Sequence, residues 1–401
     1  MTSKRMKNRF ISYLLLLGIS LSQACVDTFD PKLALNANLI VVNGIITDLA
    51  GPQQITLNRS LSRADSANKI TPITRATVTV LVNGVPLTLT EASTEPGTYQ
   101  FPAGFRGNVG NTYQLQFRTA EGVSYESTAE LMTASPPITK AYDVFNPTGQ
   151  KTTADALPTP TNDVFIDFND PASQRNFYLW RWRLYELQNW CATCVQGRYI
   201  IKDIGPVGSG PIDVIGCVAD KSLPYQNKFD YACLGTCWDI FYSNTIDVMA
   251  DLYTNGTAQV GHKVASIPIY QREPALVTIE QLALSANAYR YYRLVAEQSQ
   301  NTGTLADSPP APLSGNVRNP ADPSENVVGY FSAASVSTFY YKINRNNVPQ
   351  GNFKGLFFAQ NGRQPNVDVV PGSVFIGNGL PSALCLPGRN RTNALPPGWN
   401  Q

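Results

Sequence analysis

From Asn38 onward the hydrophobic positions follow a strand period. Leu39-Ile40-Val41-Val42 is a β-branched run that continues through Gly44-Ile45-Ile46, and Gln54 to Leu57 alternates polar and apolar residues. Ala76 to Val82 places Val78, Val80 and Val82 on one face. Asn83-Gly84 follows at once. That dipeptide suits a two-residue hairpin turn, whose central positions need positive φ. Gly97 to Phe101, Tyr113 to Phe117 and Val123 to Leu131 add further short strands separated by turn residues. This spacing predicts a β-sandwich over 38–132, immunoglobulin-like or transthyretin-like.

Thr133 to Ile138 reads as a linker, and Pro147 to Asn162 as a long polar loop. A larger β-rich domain is expected over 140–386. Val164 to Phe168 begins a strand. In Phe177 to Tyr185, the residues Tyr178, Trp180, Trp182 and Leu184 share one face, while Arg181 and Arg183 take the other. Sharing a face with Leu184 argues that these tryptophans are core and not a ligand platform. Ile240 to Leu252, Lys263 to Tyr270, Val327 to Ser335, Ser337 to Ile343 and Phe353 to Phe358 supply more strand. Thr278 to Gln300 predicts one amphipathic helix, because Ile279, Leu282, Leu284, Tyr289, Tyr292, Val295 and Ala296 cover one broad face. The tail, 387–401, is rich in Pro and Asn and reads as irregular. The fold class expected is mainly β, and no internal repeat is visible.

Composition narrows the function. Charged residues are 15% and hydrophobic residues 43% of the 401, which excludes a coiled coil and a disordered charged tail. A formal net charge of +2 gives no electrostatic footprint for nucleic acid. The first residues change the picture more. Lys4, Arg5, Lys7 and Arg9 precede the apolar stretch Phe10 to Leu21, which is shorter than the ~20 residues that span a bilayer. Ser22-Gln23-Ala24 then leads directly to Cys25. The arrangement resembles a bacterial lipoprotein signal: 1–24 removed, Cys25 fatty-acylated, and 25–37 an extended tether. Leu21 lies one position further from the cysteine than the usual pattern has it. The alternative is a soluble periplasmic or secreted protein. Asp27 and Asp30 resemble a surface-export signal.

Six further cysteines remain: Cys191, Cys194, Cys217, Cys233, Cys237 and Cys385. In an exported chain they predict up to three disulfides in one of 15 connectivities, stapling a loop-rich region at 191–237. A four-thiolate zinc site from Cys191-x-x-Cys194 and Cys233-x3-Cys237 is the competing reading, and a thioredoxin-like use of Cys191-x-x-Cys194 a third. The reading favours disulfides and assigns no metal and no cofactor.

Catalytic chemistry is poorly served. The chain has one histidine, His262, between Gly261 and Lys263, and it reads as an exposed turn residue. Asp163, Asp167 and Asp170 suggest a calcium loop, but Pro171 and Ala172 break its pattern and no Glu closes it. Gly205 to Gly210 lacks the Lys-Ser/Thr of a phosphate cradle. No enzyme activity is assigned. Trp190, Trp238 and Tyr242, beside the cysteines, are candidate ligand aromatics. Ser66, in Asp65-Ser66-Ala67, is a candidate O-glycosylation acceptor.

Several segments together resemble a family of Bacteroidetes lipoproteins catalogued as domain of unknown function 4249. They are Leu39 to Gly44 with Thr47-Asp48, Asn169-Asp170-Pro171 before the Trp180/Trp182 strand, and Cys237-Trp238. Pro309-Pro310-Ala311-Pro312 leading to Gly315-Asn316-Val317, then Val328-Gly329-Tyr330-Phe331-Ser332, is the most specific part. The motifs are structural and carry no active site. The resemblance implies a lipid-anchored, surface-exposed protein of the outer membrane that acts as a binding or accessory module, partnered with a TonB-dependent transporter or a surface complex. The alternative expectation is a glycan-binding protein or carbohydrate-active enzyme at the cell surface.

Overall fold

The computed structural model describes residues 38–63, 66–150, 159–172, 174–203, 212–299, 313–351, 353–368 and 381–400. Of its two compact units, the larger comprises Leu39–Arg59 and Ile70–Gln401, and its fold is mainly β. Residues 1–37, where the signal segment, the lipidated Cys25 and the tether are expected, lie outside the described residues. Among those residues, no helix is long and apolar enough to cross a membrane.

The N-terminal region folds as the alternation dictates. In Thr112–Arg118, Tyr113, Leu115 and Phe117 are buried and their neighbours face outward. Thr77–Val82 and Val85–Glu91 form the hairpin signalled by Asn83 (φ 50°) and Gly84 (φ 83°). One layer runs Ser124–Ser127, Thr112–Arg118, Thr77–Val82 and Val85–Glu91. The last of these also pairs with Thr98–Gln100, which carries the sheet on through Gln54–Arg63 to Asn38–Thr47. Ile40, Val42, Ile55 and Leu57 from the second layer meet Val78, Val80, Leu115 and Phe117 from the first in one core.

This sandwich is not finished by residues 38–132. Val327–Ala334 pairs in parallel with Asn38–Thr47, from Ile40 opposite Val327 to Thr47 opposite Ala334, and Val317–Arg318 pairs with Ser124–Ser127. Val317, Phe331 and Ala333 join the core. Only glycine fits at 329: its φ is 91°, and a Cβ there would lie 1.9 Å from the Val42 carbonyl oxygen. Pairing between such distant segments leaves no periodic trace in the sequence.

The remaining strands build a second sandwich. One sheet is Ile138–Gln150, Thr159–Asn169 and Ala258–Pro268. The other runs Val336–Ile343, Ala275–Ala283, Phe177–Leu187, Trp238–Tyr242 and Arg391–Thr392. Val164, Ile166 and Phe168 pack against Tyr178, Trp180, Leu184, Val277 and Ile279. Trp180 is 2% exposed and Trp182 packs at the margin, so both are core residues, as the shared face implied. On the opposite face Arg181 and Arg183 both bind Glu280, at 2.5 and 2.8 Å.

Three local expectations are corrected. Residues 278–283 are strand, not helix: Ala275–Ala283 is buried along its whole length, so its polar residues Thr278, Glu280 and Gln281 mark no solvent face and the two-residue period is broken at Glu280-Gln281. The helix is Ala286–Ser299, begun by Ser285, whose hydroxyl accepts the Ala288 N–H at 3.1 Å. Phe353 to Phe358 belongs in part to a second helix, Leu356–Asn361, closed by Gly362 in the left-handed region. Within the polar stretch 147–162, the described residues 147–150 and 159–162 are strand and not loop, with Ile138–Gln150 and Thr159–Asn169 paired out to Gln150 opposite Thr159.

Candidate functional site

The six cysteines form three disulfides: Cys191–Cys233, Cys194–Cys217 and Cys237–Cys385. Their sulfurs are therefore spent on cross-links, against the zinc and thioredoxin-like readings. Each bond joins a different pair of elements. Cys191, in a bulge of Trp190–Val195, is tied to the neighbouring strand Lys228–Leu234. Cys194 pins the hairpin Gly197–Asp203 and Ile212–Ala219 through Cys217. Cys385 brings Ser382–Leu384 parallel to Lys228–Leu234. The apolar centre of this layer is small: Cys194, Tyr199, Tyr231 and Ala383, with Cys191, Ala192 and Phe229 around them.

Arginine–carboxylate clamps do much of the remaining work. Buried Asp230 accepts both Arg363 terminal nitrogens (2.5 and 2.8 Å), the Thr193 hydroxyl (2.6 Å) and the Asn366 N–H (2.8 Å). Burial pushes its carboxyl up, but these donors outweigh burial and hold it below the ordinary carboxylate value. Asp368 accepts Arg198 (2.5 Å) and the Tyr231 hydroxyl (2.9 Å). Burial pushes the Tyr231 phenol up to about 12, and the Asp368 carboxylate adds to the rise. Asp239 accepts Arg391 (2.6 Å), Gln188 (2.7 Å) and Gln360 (2.9 Å), while Arg391 also donates to the Cys191 carbonyl at 2.9 Å. A groove of about 320 Å³ opens here, lined by Asp239, Ile240, Phe241, Gln360, Asn390 and Arg391.

The three aromatic candidates meet different fates. Trp238 is 4% exposed with its ring 5.8 Å from Trp399, so it is structural and cannot serve as an open stacking face. Trp190 is half-buried, 5.8 Å from the Phe357 ring. Tyr242 is 44% exposed and donates its hydroxyl to the Arg389 carbonyl at 2.7 Å. Exposed apolar residues occur in several places, the stapled layer among them. Ile200 and Val218 occupy the hairpin face opposite buried Tyr199 and its partner Cys217, and Val195, Ile215 and Tyr225 are also exposed.

Elsewhere the sequence candidates scatter. His262 is not an exposed turn residue. It sits half-buried in Ala258–Pro268, its Nε2 is 3.0 Å from Asp247 and its ring 4.0 Å from Trp180. Asp163 binds Lys263 (2.7 Å), Asp167 accepts the Gly261 N–H (2.8 Å) and Asp170 accepts the Tyr178 hydroxyl (2.5 Å). The three aspartates thus engage separate partners. For the glycosylation candidate, Asp65 and the side chain of Ser66 lie outside the described residues, as does Gly205 to Gly210. Asp230, Asp239, Asp368 and their arginines escaped the sequence reading. Their partners are far apart in the chain, and Asp and Arg at such separation leave no motif.

Two sandwiches and a disulfide-stapled layer, carrying a polar groove and an apolar hairpin face, define a mainly β, cross-linked protein. The family model for the domain of unknown function DUF4249 matches residues 26–339, and the chain belongs to that family. No curated protein matches the chain.

Proposed function

We propose that the protein is a cell-envelope lipoprotein, anchored to the outer membrane through Cys25, that acts as a binding module and accessory of a TonB-dependent transporter or surface complex. The observation that carries this reading is the stapled layer. Two disulfides and the Asp230 and Asp368 clamps fix a layer whose hairpin turns Ile200 and Val218 outward. Apolar residues held in place before contact lose little freedom on docking, which favours partner binding.

Extraction of membranes in mild detergent tests the proposal. Wild-type protein is expected to carry a transporter through purification, and the double variant Ile215→Asp, Val218→Asp to lose it while staying folded. A lone monomer under every extraction condition would refute the partnership. Mass spectrometry of the N-terminal peptide checks the anchor independently, and an unmodified Cys25 would refute that part.

A second reading, glycan recognition, is favoured by the groove. Phe241 offers an apolar face there, while Asp239, Gln360, Asn390 and Arg391 offer donors and acceptors. Binding on a glycan array that disappears with Asn390→Ala would select it.

A further inference from the structure

Nine acidic side chains are buried among the described residues. Six of them contact an arginine or lysine: Asp163, Glu186, Asp230, Asp239, Glu280 and Asp368. Glu130, Asp170 and Asp251 do not. Glu130 is saturated by neutral donors, the hydroxyls of Tyr330 (2.9 Å) and Ser285 (2.5 Å) and amides such as Asn316 (3.2 Å).

Asp170 and Asp251 are different, and they share one corner. Asp170 and Asn176 are laced to the turn 251–257 by backbone bonds from Asp251 to Asn176 (3.2 Å) and from Asp170 to Thr257 (3.3 Å). Asp170 accepts the Tyr178 hydroxyl at 2.5 Å on one oxygen and the Gly256 N–H at 2.9 Å on the other. Asp251 is 0% exposed. Its Oδ2 accepts the Asn176 N–H (2.8 Å) and side-chain amide (3.4 Å), and among the described residues its Oδ1 has no hydrogen-bond partner. Burial pushes the Tyr178 phenol far above its usual range, and the nearby charges of both Asp170 and Asp251 add to the rise.

A buried carboxylate oxygen without a donor, that of Asp251, is costly, and a second buried carboxylate in the same corner, that of Asp170, adds to the cost where neither contacts an arginine or lysine. A hard divalent cation removes both penalties, because carboxylate and carbonyl oxygens are the donors it takes. We propose that the corner where residues 170–172 and 174–176 meet residues 251–257 is a Ca²⁺ site, with Asp251 Oδ1 and the Asp170 carboxylate as its acidic ligands. The same corner carries the carbonyls of Pro171 and Gln174, each using one lone pair on the Asn176 amide (3.1 Å) and each keeping a second. Ca²⁺ tolerates such irregular sets of six to eight oxygens, whereas Mg²⁺ demands a near-ideal octahedron. The site shares only Asp170 with the calcium loop that the sequence suggested, since Asp163 and Asp167 are engaged elsewhere. It is also independent of any docking partner.

The test uses the purified full chain, stripped with EDTA, and Tb³⁺ alone as probe. The Tyr178 ring, hydrogen-bonded to Asp170, is placed to sensitise Tb³⁺ luminescence. A saturable signal displaced by Ca²⁺ and not by equal Mg²⁺ is expected, with a rise in melting temperature on adding Ca²⁺. Asp251→Asn keeps an acceptor for Asn176 and removes the charge, so Ca²⁺ affinity should fall at least tenfold, whereas Asp167→Asn should leave it unchanged. Wild-type affinity in Asp251→Asn would overturn the proposal. So would the absence of saturable Tb³⁺ binding and of any Ca²⁺-dependent stabilisation in the wild type, which decides the matter even if the variant does not fold.

Discussion

The N-terminal sandwich and the stapled layer solve the same problem in opposite ways. The sandwich gathers Ile40, Val42, Val78, Val80, Leu115, Phe117 and their neighbours into a large apolar core and, among the described residues, contains no disulfide. The stapled layer has only a small apolar cluster around Tyr199 and Tyr231, and it carries the cross-links together with the Asp230 and Asp368 clamps, while the Asp239–Arg391 clamp of the neighbouring sheet reaches it through the Cys191 carbonyl. Where apolar burial is sufficient, covalent help is dispensable. Where the layer is too thin to exclude water on its own, constraint of the unfolded chain replaces it.

The largest effect should come from Cys237–Cys385, which closes a span of 148 residues. In the chain-entropy picture such a loop is worth about 5 kcal/mol, against about 3 kcal/mol for the 23-residue span of Cys194–Cys217. The double variant Cys237→Ser, Cys385→Ser should therefore lose more stability in chemical denaturation than Cys194→Ser, Cys217→Ser. Equal losses would break the argument from span.

Leu115→Ala should cost about 3 kcal/mol through transfer and cavity terms. Unlike the cysteine variants, it should cost the same with and without reductant. A reductant-dependent loss would show that the two regions do not stabilise independently.

Acid should separate the regions more gently. The folded-state value of Asp230 lies below its unfolded one, so its contribution is complete above about pH 4 and is lost as pH falls through the folded value. Amide exchange at pH 3 should rise first in Lys228–Leu234 and Trp190–Val195, before Thr112–Arg118. Arg363→Met should move that onset to higher pH. Uniform exchange across both regions would show that the clamp contributes little.

The same contrast explains what the sequence revealed. Strands of the sandwich within 38–132 are legible where one face is wet, as Tyr113, Leu115 and Phe117 alternate visibly with polar residues, whereas Val317–Arg318 and Val327–Ala334 give no sign that they join it. Residues 278–283 read as helix for the converse reason: Ala275–Ala283 is buried on both faces, so its polar residues mark no solvent side. The cysteines announced cross-links by their even number, but the pairing of Cys191 with Cys233 and not Cys194 depends on which strands become neighbours. Arginine clamps gave no warning either, since an Asp at 230 and an Arg at 363 meet only after everything between them has folded. Asp170 was noticed for the wrong neighbours: its companion is Asp251, across a turn, and not Asp163 or Asp167.

The parallel pairing of Asn38–Thr47 with Val327–Ala334 has a consequence for how the chain comes into being. A polypeptide is delivered from its N-terminus, so one of the first strands to emerge waits for one of the last. Until Ala334 has appeared, Ile40 and Val42 lack their final neighbour, so the first sheet gains its last strand only late in synthesis.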